Sequence, residues 1–207
     1  MRSMPALVTA LAVVLLSASA LAYEAPTYSA LSAEDSADLQ DGGTVRDVSR
    51  GQPNRGMVIG LIEAPADELF EIVLDYESIP QWSPALVTAT VLEDTDGQKV
   101  VEGETRLPWP LTNRTWRIRS FYAPQQVGGH DAYVNRWEYI PGHGNVDDTF
   151  GYWLLMPWPE DPSWTYVKYV VNADPGVALP NAVLNWATSR ALPDLITGLA
   201  ERHDALY

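Results

Sequence analysis

Leu107-Pro108-Trp109-Pro110-Leu111-Thr112-Asn113-Arg114 and, further along, Asn172-Ala173-Asp174-Pro175-Gly176-Val177-Ala178-Leu179-Pro180-Asn181-Ala182-Val183-Leu184-Asn185-Trp186-Ala187 are the two stretches on which the reading of this chain turns. The first reads locally as a strand interrupted by a proline turn, with Arg114 opening the next strand. The second opens a closing helix that runs from about Leu179 to Ala205. There Val183, Trp186, Leu192, Leu195, Ile196 and Leu199 fall at helical spacing and make one apolar stripe. Pro193 is expected to kink or divide that helix.

Working outward, the segment between the two stretches alternates with period two. Trp116, Ile118 and Tyr122 share one face with Arg117 and Arg119 opposite, and Tyr133, Trp137 and Tyr139 alternate with Arg136 and Glu138. Strands are expected at Leu86 to Glu93, Lys99 to Arg106, Thr115 to Tyr122, Tyr133 to Tyr139, Phe150 to Met156 and Thr165 to Val171. Two more precede them, at Thr44 to Val48 and Gly56 to Ile62, on either side of a Gly51-Gln52-Pro53-Asn54 turn. Between Ile62 and Leu86, Pro65 and the acids Asp67 and Glu68 start a helix whose apolar residues run from Leu69 to Leu74. The economical arrangement is an α+β fold, an antiparallel meander with one long terminal helix. A curved sheet cannot close its concave face against itself, so the helix covers it and the remaining volume is a cavity.

Length and composition agree with one domain. The 207 residues suffice for a core and a cavity together. Residues 1–22 stand apart: Arg2, an apolar run from Ala6 to Leu16 and the small residues Ser17 to Ala22 form the pattern of a secretory signal peptide, the apolar run being too short to span a bilayer. Residues 23–43 are an acidic leader with room for one short helix and little apolar to bury, and residues 44–207 are the folded domain. Export implies a soluble periplasmic or secreted protein. Cysteine is absent, which excludes disulfides and thiolate metal sites. Without the signal the chain has 12 basic and 27 acidic residues, a net −15 that repels phosphates, so nucleic acid is not an expected partner and contact with a membrane is expected to be transient. A monomer is expected.

Taken together, the two stretches closely resemble the START lipid-transfer family, whose matching runs read P-W-P-L-S-N-R-D and D-P-G, L-P, then I-N-W-A. The resemblance covers the chain from about Thr44 to its end and implies the helix-grip fold with one lipid or other hydrophobic small molecule inside. It implies that Trp186, beside Val183, walls the cavity on a gating helix, although core packing is the other reading of that tryptophan. It implies a gate loop at Gly142, His143, Gly144 and Asn145; a plain connection between strands is the alternative. It aligns Arg114 with an arginine that is inward-facing in several members. The family's following aspartate is Thr115 here, so Arg114 is expected to meet Asp75, Glu77, Glu104 or a ligand's acidic group, or else to sit on the surface at a turn. Trp82, Trp116, Trp137, Trp153 and Met156 are the further candidates for the wall, because they lie in or beside strands. Burying about ten methylenes at about 0.8 kcal/mol each supports useful affinity before ordering costs.

Catalytic and metal motifs do not assemble. His130, His143 and His203 match no ligand spacing, so no metal or cofactor is expected; the segment from Asn145 to Asp148 is too short for a calcium loop. Nucleophile elbows and phosphate-binding glycine loops are missing. Asn113-Arg114-Thr115 fits a glycosylation acceptor but lies inside the strand motif. An enzyme reading stays open because relatives of this fold include aromatase/cyclases, and Arg114 with Tyr139 or Tyr152 would be its acid–base set. The expectation is a carrier rather than an enzyme.

Overall fold

Strand β2 (Asn54–Ile62) shows how the sheet divides space. Val58 and Ile62 face one core, Ile59 and Leu61 the other, as the pleat requires. In the computed structural model, which describes residues 24–207, eight antiparallel strands form one sheet in the order β1-β2-β8-β7-β6-β5-β4-β3. The strands are β1 (Val45–Ser49), β2, β3 (Leu86–Thr95), β4 (Gln98–Thr105), β5 (Arg114–Val127), β6 (His130–Gly144), β7 (Asp148–Trp158) and β8 (Asp161–Asp174). All eight expected strands are present. β5, β6 and β8 run several residues longer than their apolar patterns, because their ends carry polar residues that the ladder still pairs. The fold is the expected curved antiparallel sheet with a long C-terminal helix. The expected signal peptide lies outside the described residues; among these, no helix is long and apolar enough to cross a membrane.

The inner face of the sheet is covered by α2 (Ala66–Leu74), α3 (Ile79–Trp82) and α5 (Leu192–Leu206). Helix α2 buries Leu69, Phe70, Ile72 and Val73, with Asp67 and Glu68 in its first turn, where the helix dipole favours acids. Helix α5 lies close to both the sheet and α3, because a side chain on Gly60 would run into Ile196 and one on Gly198 into the Trp82 carbonyl. The closing helix is divided, as expected, although the break is upstream of Pro193. Helix α4 (Asn181–Trp186) passes into a π turn over Ala187–Ala191 before α5 begins, and Pro193 occupies the first turn of α5. Proline removes one helical hydrogen bond and crowds the carbonyl four residues earlier, here Ser189, which lies inside the π turn.

The outer face is also buried. Leu39, Ile59, Val134, Tyr152, Leu154, Met156, Tyr166 and Val170 belong to a second core, against which Tyr28 and Leu31 pack. Residues 24–43, expected to bury little, therefore run across the back of the sheet and include α1 (Ala33–Gln40), capped by the Ser32 side chain. The Tyr28 ring meets Tyr166 edge-on at 5.1 Å, Glu24 takes two 2.9 Å hydrogen bonds from Arg55, and Lys168 Nζ donates to the Thr27 carbonyl at 3.0 Å. Because both faces are covered, β7 reads as a continuous apolar run rather than an alternation.

Candidate functional site

Packing between helices and sheet is complete only at one end. Phe70, Val73, Leu155, Val167 and Leu199 fill that end. Toward the other, a cavity of about 330 Å³ opens between the sheet, the turn after α2, and the α4 segment. That volume is at the lower end of the range for small-molecule pockets.

Trp116, Trp137, Trp153 and Tyr169 give the cavity an aromatic wall. Two of these indoles lie over glycines directly opposite them on the neighbouring strand, Trp116 over Gly103 and Trp137 over Gly151, where any side chain would collide with the ring. Trp116 Nε1 donates to Thr105 Oγ1 at 2.8 Å, which satisfies its polar atom within the protein. The Tyr169 ring stacks on Trp137 at 5.6 Å and tilts against Trp153 at 4.6 Å. From the opposite side Leu184, Trp186, Ala187 and Leu192 close over the space. Trp186 is therefore a wall residue, and the π turn carries the helix across the cavity.

Arg114, at the first position of β5, lies in this wall beside the further lining arginines Arg55 and Arg106, and is only 8% exposed. Its Nη1 donates to Thr112 Oγ1 at 3.2 Å, and its buried Nε has no partner. None of the three expected acids serves it. Glu104 instead accepts from Asn113 Nδ2 at 2.6 Å, Glu77 accepts from the Val91 amide at 3.3 Å, and Asp75 acts through its carbonyl, which accepts from Ser78. Among the described residues Arg114 has no ion pair. A buried guanidinium in that condition is costly until an acceptor enters.

Several expected wall residues are elsewhere. Met156 belongs to the outer core: it is three residues from Trp153, so the pleat puts the two on opposite faces. Trp82 is core under α5, and Val183 is buried on α4 but off the cavity wall. Gly142, His143 and Gly144 complete β6 instead of forming a loop, with positive φ at both glycines. Asn145 is clipped to β5 on both sides: its amide donates to the Thr115 carbonyl at 3.0 Å, its Oδ1 accepts from the Thr115 amide at 2.8 Å, and its Nδ2 donates to the Asn113 carbonyl at 3.3 Å. None of these four residues lines the cavity, whereas Val146 beside them does. Tyr139 donates to the His143 carbonyl at 2.8 Å and Tyr152 lies in the outer core, so neither joins Arg114 in an acid–base set. Tyr76, Ser120, Asn135 and Tyr169 escaped the sequence reading. Period two marks the last three as inward-facing, but nothing local marks Tyr76 as reaching them.

The cavity also has an exposed apolar rim. Trp109, between Pro108 and Pro110, is 92% exposed, and Leu107, two residues before it, lines the cavity. Val177 is exposed in the same way between the lining residues Pro175 and Leu179.

Residues 62–200 match the family described as polyketide cyclase / dehydrase and lipid transport. No curated protein matches the sequence at a significant level. Among solved structures the fold is similar to a STAR-related lipid transfer protein from Xanthomonas axonopodis, with a TM-score of 0.64 and 20% identity over 78% of this chain and 98% of that one. Human StAR-related lipid transfer protein 5 aligns with a TM-score of 0.60 and 13% identity over 77% of this chain and 86% of its own. A START superfamily protein from Mycobacterium smegmatis aligns at 0.58 and 16% identity, over 74% of this chain and 99% of its own.

Proposed function

The chain belongs to the polyketide cyclase / dehydrase and lipid transport family, and on that premise we propose that it is an exported carrier that holds one hydrophobic molecule with an acidic or strongly accepting group turned toward Arg114. The observation that carries this reading is the pairing of an aromatic cavity with a buried guanidinium that no carboxylate neutralises. A ligand carboxylate or phosphate would supply the missing acceptor while its apolar part leaves water against Trp116, Trp137 and Trp186. The cavity volume favours a single-chain or compact ligand over a two-chain lipid.

Carriage suits this lining better than catalysis. The cavity wall contains arginines and tyrosines and, among the described residues, neither a carboxylate nor a histidine. Burial pushes the Tyr76 and Tyr169 phenols up, away from proton exchange near neutrality. Trp109 and Val177 would touch a membrane surface transiently while the α4 segment moves aside, since tryptophan favours the membrane interface. The pattern of residues 1–22 supports export, and the protein would act as a soluble monomer.

Native mass spectrometry of the protein purified from its own compartment, followed by organic extraction, tests the reading. A stoichiometric acidic lipid or similar amphiphile is the expected result. A protein that is empty and stays empty after incubation with membrane lipids would overturn it.

A further inference from the structure

The inner end of the cavity, away from Arg114, holds polar groups that the carrier reading leaves unused. Tyr169 on β8, Trp153 on β7 and Asn135 on β6 are direct neighbours in register and belong to one inward-facing row. Tyr76, from the turn after α2, reaches the same level. Asn135 Nδ2 donates to its hydroxyl at 2.9 Å, and Ser120 Oγ donates to Asn135 Oδ1 at 2.5 Å. Ser120 and Asn135 are fully buried and Tyr76 nearly so, yet Tyr76 and Tyr169 both line the cavity.

Hydrogen-bond accounting shows what this group offers. Ser120 fixes the orientation of the Asn135 amide, and both side chains lie within hydrogen-bond reach of the Tyr76 hydroxyl, which they hold in place at this end of the cavity. The Tyr169 hydroxyl has no hydrogen-bond partner among the described residues, although its ring is held by Trp137 and Trp153. Burial keeps both phenols protonated, so Tyr169 is a donor without an acceptor, beside a Tyr76 hydroxyl positioned by Ser120 and Asn135. Donors in an apolar wall are costly to leave unmet, and an oxygen on the ligand would meet them.

We propose that Tyr76 and Tyr169 form a second polar subsite, one that binds a carbonyl or hydroxyl oxygen at the buried end of an elongated ligand whose acidic group lies at Arg114. The inference rests on the carrier reading and narrows its ligand. Arg114 and Ser120 are six residues apart on β5, with the cavity-lining Trp116 and Ile118 between them on the same face, so the two polar ends are separated by an apolar span. An acid with a terminal oxygen function satisfies both ends; a plain fatty acid satisfies only one.

Binding of dodecanoic, tetradecanoic and hexadecanoic acids, each measured by calorimetry beside its ω-hydroxy counterpart, tests this. For at least one chain length the hydroxy acid is expected to bind wild-type protein about five- to tenfold more tightly than the plain acid, the effect of one added hydrogen bond. Tyr169→Phe, which breaks no hydrogen bond within the protein and keeps the ring, should abolish that preference by weakening the hydroxy acid far more than the plain acid. Tyr76→Phe should reduce it as well. Equal binding of both members of every pair by wild type, or a preference that survives Tyr169→Phe, would overturn the subsite alone. Failure of every acid to bind would overturn it together with the reading of Arg114 as an anion site.

Discussion

Trp116 occupies the space that a side chain on Gly103 would need. A Cβ at that glycine would come 2.5 Å from Trp116 Cη2 and 2.9 Å from the Thr88 carbonyl oxygen, which belongs to the neighbouring strand. The indole is also tied to β4 by its bond to Thr105, so a methyl at Gly103 would force it out of that hydrogen-bonded position. Gly103→Ala is therefore expected to cost about 1–3 kcal/mol of stability, as overpacking does, and to weaken ligand binding. Combining it with Trp116→Phe should recover part of both, measured as coupling in a double-mutant cycle of denaturant midpoints. Additivity within about 0.5 kcal/mol would show that the tryptophan is not what the methyl displaces.

Arg114 offers a prediction in which stability and binding separate. Removing one member of a buried ion pair is strongly destabilising, but removing a buried charge that has no partner is neutral or stabilising. Arg114→Met should leave the ligand-free protein as stable as wild type or more stable by about 1–2 kcal/mol, and should lower affinity for an acidic ligand by tenfold or more. A loss of several kcal/mol on thermal unfolding would instead make Arg114 a structural member of a hidden pair.

The π turn sets which side chains the terminal helix presents to the cavity. One residue fewer in this turn, with Pro193→Ala to allow a regular helix, would turn α4 by about 100° relative to α5. Leu184 and Trp186 would then leave the cavity wall. Deletion of Ser189, an exposed residue, in that background should cost about 1–3 kcal/mol, because Val183 also rotates out of its buried site, while ligand dissociates at least tenfold faster in stopped-flow measurements. Unchanged dissociation would show that the identity of residues on α4 is immaterial to retention.

How much of this was legible in the sequence follows from where each signal lies. Strands and helices appeared because their apolar residues repeat at fixed periods, and the cavity followed from a curved sheet with one long helix. Arg114 and Trp186 emerged from the two motif stretches, and both line the cavity. Met156 did not, although its parity with Trp153 was visible: both lie in a run so uniformly apolar that no alternation separates the faces. The cause of that uniformity is the N-terminal segment, whose Tyr28, Leu31 and Leu39 are too sparse to read as one side of a core. Tyr76 was invisible for another reason, since its partner Asn135 is 59 residues away and no local pattern encodes the contact.

Trp109 separates delivery from binding. It is almost wholly exposed, two residues after the cavity-lining Leu107, and its side chain supports no core. Trp109→Ser should leave stability and solution affinity within error of wild type while slowing ligand transfer to zwitterionic vesicles, followed by a fluorescent fatty acid. Vesicles of neutral headgroups are the right acceptor because the net charge of the chain opposes anionic surfaces. Transfer at an unchanged rate would move the docking surface away from this loop.

The N-terminal segment predicts a response to acid. Hydrogen bonds from Arg55 hold the Glu24 carboxyl below its usual 4.5, and Asp47 adds a contact to the same guanidinium at 3.4 Å. A carboxylate whose folded pKa is depressed contributes stability above its unfolded value and loses it as pH falls through the folded one. The tie at Glu24 is thus complete above about pH 4.5 and is released as pH falls further, through the lower folded value. Amide protection at Thr27 to Leu31, measured by hydrogen exchange, should fall between pH 5 and pH 3 before the sheet opens. Glu24→Gln should lower that protection already at neutral pH and remove its dependence on acid. If the variant retained the same acid-dependent loss, the segment would be held by Lys168 and the Tyr28 ring rather than by the charge at its start.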